Sequence, residues 1–320
     1  MNKATKVWVI TAIFLILLGC ILFGGTMMKM DWNFTKLNTT AFETHTYQIT
    51  DSFSSIRIET DTAKIEILPA TDGSCTLTCF EQENLRHTAT VQDGVLNIRS
   101  ADKRKWYEYI GIHFSTPKIT LAIPAAHYES LVIREDTGDI LISKDFSFGS
   151  MDIAASTGDI CNYANVDGAM QIKTTTGSIC AENIHVGSAN LSASTGTIKA
   201  ASLDCNADLQ ASVTTGKVHL TNVTAQNLLS IGDTGDIQMK NVVVAEHLSI
   251  QRDTGDVLFD RCDAATISVK TDTGDVKGTL LTEKVFLTQA DTGKVLVPNS
   301  TNGGKCEITT DTGNIVINIG

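Results

Sequence analysis

Asp253-Thr254-Gly255-Asp256-Val257 and, 19 residues later, Asp272-Thr273-Gly274-Asp275-Val276 are two copies of one phrase that recurs from residue 136 to the C-terminus. Its glycines are Gly138, Gly158, Gly177, Gly196, Gly216, Gly235, Gly255, Gly274, Gly293 and Gly313, each preceded by Thr and set 19 or 20 residues apart. A period held over so many units marks a stacked repeat architecture. Two residues after the glycine every unit carries Ile or Val, from Ile140 and Ile160 to Val295 and Ile315. Before it, pairs such as Met151 and Ile153, Met170 and Ile172, or Leu248 and Ile250 stand two apart with a polar residue between. Apolar residues alternating with polar ones mark strands with one face on a core. The unit reads as strand, Thr-Gly corner, strand and a variable return stretch.

The corner bears on how these strands pair. Thr-Gly suits the central positions of a type II turn, where only the glycine needs positive φ, whereas tight hairpins want positive φ at the first central residue, which Thr resists. The expected fold is therefore an all-β parallel solenoid of about ten coils, with an antiparallel meander as the alternative. At ~4.8 Å between strands, the rod would be roughly 48 Å long. Leucine-rich repeats share the period, but their Leu-x-x-Leu-x-Leu pattern is absent.

Composition agrees with a folded chain: 42% hydrophobic, 19% charged, with only 4 prolines and 24 glycines, which excludes collagen-like or Pro-rich material. Residues 1–127 are balanced in charge, so the whole net −11 falls on residues 128–320. Such a surface repels nucleic acid and anionic lipid and favours cations or basic partners.

The N-terminus runs into an apolar stretch from Val7 to Met28, interrupted only by Thr11 and Thr26 and long enough to span a membrane. Lys3 and Lys6 precede it, which puts residues 1–6 in the cytoplasm and the rest outside, as a single-pass signal-anchor over residues 7–28. Two alternatives stay open. A cleaved signal peptide usually has a shorter apolar region, and Leu17-Leu18-Gly19-Cys20 resembles a lipobox, with Cys20 as the lipidation site. Residues 29–45 read as a tether, 46–128 as an irregular β cap and 129–320 as the repeat array. Within the cap, Ser55–Leu68 looks like a degenerate first coil, with Asp61-Thr62-Ala63-Lys64 in place of the corner phrase. At the other end Ile315–Ile319 is still strand, which predicts an open edge there.

Thr-Gly-Asp-Ile/Val units behind a membrane segment, with Ile123-Pro124 leading into Leu131-Val132-Ile133, resemble the bacterial putative-adhesin family of β-strand-repeat proteins, which includes the LiaG-like envelope-stress accessory proteins. The resemblance covers about residues 46–320. It implies an envelope-located rod and carries over no catalytic residue. Ser178, Thr197, Lys217, Lys294 and Asn314 depart from the pattern, since Asp would follow the glycine.

The acidic columns are the sharpest candidate site. Asp233, Asp253, Asp272, Asp291 and Asp311 precede the corner in successive units, and Asp236, Asp256 and Asp275 follow it. Carboxylates stacked at ~4.8 Å repel one another and would be relieved by Ca²⁺, which takes oxygen ligands. The favoured reading is structural: each Asp accepts backbone N–H groups in its own corner, and no metal or other cofactor is needed. Of the 8 cysteines, Cys75 and Cys79 lie too far apart along one strand to bridge. Cys262 and Cys306 fall on apolar columns, and Cys161 and Cys180 occupy equivalent positions in neighbouring coils, within reach of a disulfide. No Cys-x-x-Cys pair, nucleophile elbow, zinc-protease helix or phosphate loop is present, and the 7 histidines do not recur at one coil position. Lys103, Arg104, Lys105, Trp106 and Tyr107 form the cap's candidate contact for a partner or a membrane surface, or else a solvated loop. The expectation is a non-enzymatic, membrane-anchored extracytoplasmic rod that binds or scaffolds at the cell envelope. An envelope-stress sensor is the alternative, and an enzyme acting on wall polysaccharide comes third.

Overall fold

The computed structural model describes residues 2–34, 41–82, 84–102 and 115–320; the basic-aromatic run from Lys103 to Tyr107 lies outside them. Helix α1 (Lys3–Lys29) carries the apolar run, and none of its hydrophobic window is buried against the rest of the chain. The N-terminal strands are β1 (Phe42–Ile49), β2 (Ser55–Thr62), β3 (Lys64–Pro69), β4 (Cys75–Gln82), β5 (Leu85–Gln92), β6 (Val95–Asp102), β7 (Lys118–Ile123), β8 (His127–Thr137) and β9 (Ile140–Ile142). The middle of the array holds β10 (Ser147–Thr157), β11 (Ile160–Asn162), β12 (Asn165–Thr176), β13 (Ile179–Cys205), β14 (Asp208–Thr234), β15 (Ile237–Thr254) and β16 (Val257–Thr273). It ends in β17 (Val276–Leu280), β18 (Lys284–Thr292), β19 (Val295–Leu296), β20 (Gly304–Thr312) and β21 (Ile315–Ile319).

Every pairing from β8 onward among the described residues is parallel, and the strands flanking the corners stack in register, for example Met151 with Leu131 and Met170, or Val257 with Ile237 and Val276, with bulges confined to positions such as Phe148–Met151 and Phe259–Cys262. The chain is thus a parallel β-solenoid of about ten turns, and the antiparallel alternative is excluded. The apolar columns form one continuous core, with Ile153, Ile172, Leu191, Val218, Val276 and Ile315 fully buried. The return stretch is also strand. Leu203, Val223 and Val242 stack on one another as a third inward column. The chain enters that side through a second corner in the left-handed conformation at Asn183, Ser202, Asn222, Asn241 and Arg261, with φ between 51° and 56°. Asn tolerates this backbone, and at this corner the Asn241 amide donates to Asn222 Oδ1 of the preceding coil at 2.7 Å.

The Thr-Gly corner departs from a type II turn. From Gly158 to Gly313 the corner glycines sit at φ between 130° and 158°, well beyond the ~80° of that turn. Their backbone lies flat against the glycine of the adjacent coil: a Cβ on Gly216 would fall 1.7 Å from the Gly196 carbonyl oxygen. The glycine is kept by stacking as much as by its dihedral angle.

At both ends the order of coils in space differs from their order in sequence. β20 and β21 insert between the Gly274 coil and the Gly293 coil: Gly274 N–H donates to Thr312 O and Gly313 N–H to Thr292 O, each at 2.9 Å. The open edge predicted at Ile315–Ile319 is thus covered in part: Ile315 and Val316 lie between β17 and β19, while Ile317–Ile319 pair, among the described strands, with β17 alone. At the N-terminus β2 and β3 lie between β8–β9 and β6–β7, with Ala63 under Gly138 where the degenerate coil was expected to place it. Antiparallel β5 then covers β6, antiparallel β4 covers β7, and β1 covers β4.

Candidate functional site

The acidic edge divides into two columns with different chemistry. After the glycine, each side chain accepts a backbone N–H from the next layer: Asp139 from Asp159 at 3.0 Å, Asp159 from Ser178 at 2.7 Å, Asp236 from Asp256 at 3.2 Å, Asp256 from Asp275 at 2.8 Å and Asp275 from Asn314 at 2.6 Å. The bonds run between coils, which corrects the expectation that each Asp is satisfied within its own corner. Contact with the Lys217 ammonium, then the N–H of Asp256, holds the Asp236 carboxyl below its usual range; Lys277 and then Asn314 do the same for Asp275. Asp233, Asp253, Asp272, Asp291 and Asp311, before the glycine, are exposed. Because of the inserted terminal coil, Asp311 stands between Asp272 and Asp291, not at the end of the series.

Three residues before the corner, the inward positions are unusually polar. Thr174, Thr271 and Thr310 donate to the carbonyls of Gly158, Gly255 and Gly274. Arg252 fills the same column, 4% exposed, with Nη2 donating to Ser230 Oγ at 2.8 Å. Its guanidinium occupies the space beside Gly232, where a Cβ would lie 2.0 Å from Arg252 Nη1 and 2.3 Å from the Val213 carbonyl oxygen. At the N-terminal end the column holds Glu135, opposite Thr60 and 4% exposed. Its Oε1 accepts the Ala63 N–H at 2.9 Å and its Oε2 has no partner. Burial, followed by the nearby Asp136 and Asp61 charges, pushes the Glu135 carboxyl up to about 8. Above it, Glu59, Asp61, Arg99, Arg134, Asp136 and Lys173 rim a shallow groove of about 620 Å³.

The cap holds a second polar cluster. Cys79, Glu81 and His87, all buried, each offer one ligand atom within 4.8 Å of the others. His87 Nδ1 lies 2.7 Å from Glu81 Oε2, and His87 Nε2 2.9 Å from Thr60 Oγ1. Burial, then the Glu81 charge, pushes the Cys79 thiol up to about 12. Sequence reasoning set Cys79 aside and missed Glu81, His87, Thr60 and Glu135. Cys79 and Glu81 were recognisable as two carboxylate or thiol side chains on one strand face; their approach to β5 and β2 was not.

The remaining cysteines fall where spacing put them. Cys262 and Cys306 are fully buried, and Cys161 and Cys180 face each other in register on β11 and β13 as free thiols. The neighbouring Cys180 side chain holds the Cys161 thiol down at about 7. Cys20 is exposed on α1.

Comparison with solved structures shows the same fold in distant proteins. A crystal structure described as a putative adhesin from Parabacteroides merdae aligns over 75% of this chain and 97% of its own at 14% identity and TM-score 0.54. One described as a putative lipid binding protein from Parabacteroides distasonis aligns over 74% and 94% at 17% identity and TM-score 0.51. No curated protein sequence matches. The family model Toastrack DUF4097 matches residues 53–233 and again 202–320, so that the repeat array and most of the cap are accounted for by one family, and the chain belongs to it.

Proposed function

We propose that the chain is a membrane-anchored rod that acts as an adhesin-like binding or scaffolding protein of the bacterial cell envelope, without catalytic turnover. The observation that carries this reading is the joining of α1, a helix of 27 residues whose apolar membrane-length window is unburied among the described residues, to a regular stack with acidic columns along its corner edge. An apolar helix of this length spans a bilayer, and Lys3 and Lys6 at its start orient the rod to the outside. The carboxylates after the corner glycines accept backbone N–H groups of the adjacent coil, an arrangement suited to a stiff display surface. The description of the Parabacteroides merdae protein as a putative adhesin agrees with this reading.

Two measurements test it. On wall-stripped cells, added protease should remove the rod while a cytoplasmic marker survives; a protected rod overturns the orientation. Lipid vesicles carrying the full chain should retain isolated bacterial cell wall above protein-free vesicles, with no release of glycan fragments. Equal retention overturns the binding role, and fragment release overturns the non-catalytic one.

A further inference from the structure

The cap cluster has a donor set that a purely structural ion pair does not need. Glu81 is 1% exposed at its side chain, and its ion-pair contacts among the described residues are two imidazoles, His87 Nδ1 at 2.7 Å and His45 Nδ1 at 3.2 Å. The second contact lacks hydrogen-bond geometry: Glu81 Oε1 and His45 Nδ1 are both buried without a hydrogen-bond partner. A buried carboxylate oxygen and a buried imidazole nitrogen left unbonded side by side cost free energy unless something joins them. His45 lies directly opposite Cys79 in the β1–β4 register, so the thiol falls on the same face. Soft thiol, imidazole and carboxylate therefore converge from three strands.

We propose that Cys79, Glu81, His87 and His45 form a closed four-ligand site for a divalent d-block cation, zinc foremost, that rivets β1 to β4 and β5. Sulfur and nitrogen donors favour zinc over calcium or magnesium, and four protein ligands are the usual complement of a structural zinc site. A thiolate and a carboxylate neutralise the dication, so the site carries no net charge into the core. The His87 ring is already oriented for this by its far nitrogen, Nε2, at 2.9 Å from Thr60 Oγ1, the outer-shell contact that ligating histidines require. Ligands about 2.0–2.3 Å from one ion stand roughly 3.3–3.7 Å apart in a tetrahedron. The 2.7 Å contact between Glu81 and His87 is thus a hydrogen bond that opens as the carboxylate swings onto the metal. His87 shifts its proton to Nε2, which donates to Thr60, and the Cys79 proton leaves to solvent. Among the described residues β1 pairs only with β4, so the ion fastens the strand through which the chain enters the rod from the side of α1.

The test uses the full chain in detergent, stripped of metal by a chelator and titrated with Zn²⁺, Co²⁺ and, as control, Ca²⁺. One equivalent of Zn²⁺ should bind and raise the melting temperature, Ca²⁺ should not, and Co²⁺ should give a thiolate charge-transfer band with tetrahedral visible bands. Cys79→Ser should abolish the charge-transfer band. His45→Gln replaces a side chain that is 25% exposed, so the metal-free chain should still melt cooperatively, no lower than the unaltered one, while Zn²⁺ affinity weakens by at least about tenfold. The double variant Cys161→Ser with Cys180→Ser should keep both signals. Absence of saturable binding overturns the proposal, as does binding that vanishes only in the Cys161/Cys180 variant or an unchanged affinity in His45→Gln. Should Cys79→Ser fail to fold, the His45→Gln affinity decides.

Discussion

The two ends of the rod solve one problem differently. Each end tucks a coil one layer inward, so that β2–β3 and β20 are paired on two sides and β21 is so at Ile315 and Val316. The N-terminal end then covers its outer layer with antiparallel β4 and β5, and fills the junction with Thr60, Glu81, His87 and Glu135. The C-terminal end leaves β18–β19 outermost, with Leu287 and Leu296 exposed by 51% and 61%. Pro298 follows β19, which is only two residues long, and a short strand interrupted by proline is a common way to blunt a sheet edge. The apolar strand Ile315–Ile319 takes the inner place, where Ile315 and Ile317 are buried. A repeat thus builds the middle of a stack without instruction, while the ends need sequence that breaks it.

The largest expected effect tests the inserted coil. Ile315→Asp places an unpaired charge between β17 and β19 and should cost about 3–5 kcal/mol, whereas Val295→Asp, on the outer layer and 39% exposed, should cost no more than ~1 kcal/mol. Equal losses in thermal or denaturant melts would return Ile315 to the edge. Val276→Asp should behave as Ile315→Asp, since Val276 is its buried partner in register.

The corner can be broken in the middle and spared near the N-terminal end. Ala63 occupies the stacked position there, and neither it nor Gly138 adopts the positive φ of the later corners. Gly216→Ala, with its backbone at φ 144°, should cost about 2–4 kcal/mol through strain and collision with Gly196. Gly73→Ala, in an open turn with nothing near its Cβ, should cost about 1–2 kcal/mol from its dihedral alone. Similar melts for the two would remove stacking as the reason for the glycine.

A pH titration sharpens the role of the N-terminal polar junction. The Glu135 carboxyl is raised from 4.5 to about 8 in the folded chain, so the folded state keeps a proton that the unfolded state has lost. Stability should therefore be fully present below about pH 4.5, fall as pH rises towards 8, and level off above it, by up to a few kcal/mol. The depressed Asp236 and Asp275 act in the opposite sense and at more acid pH. Glu135→Gln should flatten the slope between pH 5 and 8 in thermal melts; an unchanged slope would assign it to another group.

The smallest effects belong to the acidic edge. Asp275→Ala removes the acceptor for the Asn314 N–H and should cost about 0.5–1.5 kcal/mol. Lys277→Asp, which replaces an exposed partner of Asp275, should leave the melt nearly unchanged. A larger loss for Lys277 than for Asp275 would mean that the ion pair, and not the ladder between coils, holds the edge.

The sequence by itself determined the strand faces, the coil period, the corner glycines, the apolar helix and the identity of the degenerate coil at Asp61-Thr62-Ala63-Lys64. These follow from alternation and spacing, which are local and repeat unit by unit. The third side of each coil was legible only in part, because Asn222 and Asn241 announce a left-handed corner but Ser202 and Arg261 occupy the same position without the signal. Only the tertiary structure decided which coil is outermost, since β18 and β20 have equivalent strand patterns and their order depends on which strand loses more by exposure. It also decided the partners of the acidic side chains, because a bond to the next coil and one within the same corner use the same residues. The meeting of His45, Cys79, Glu81 and His87 required the antiparallel register of β1 on β4 and the approach of β5. Those contacts join residues up to 42 positions apart, on strands that lie outside the repeat, so no periodicity could have placed them together.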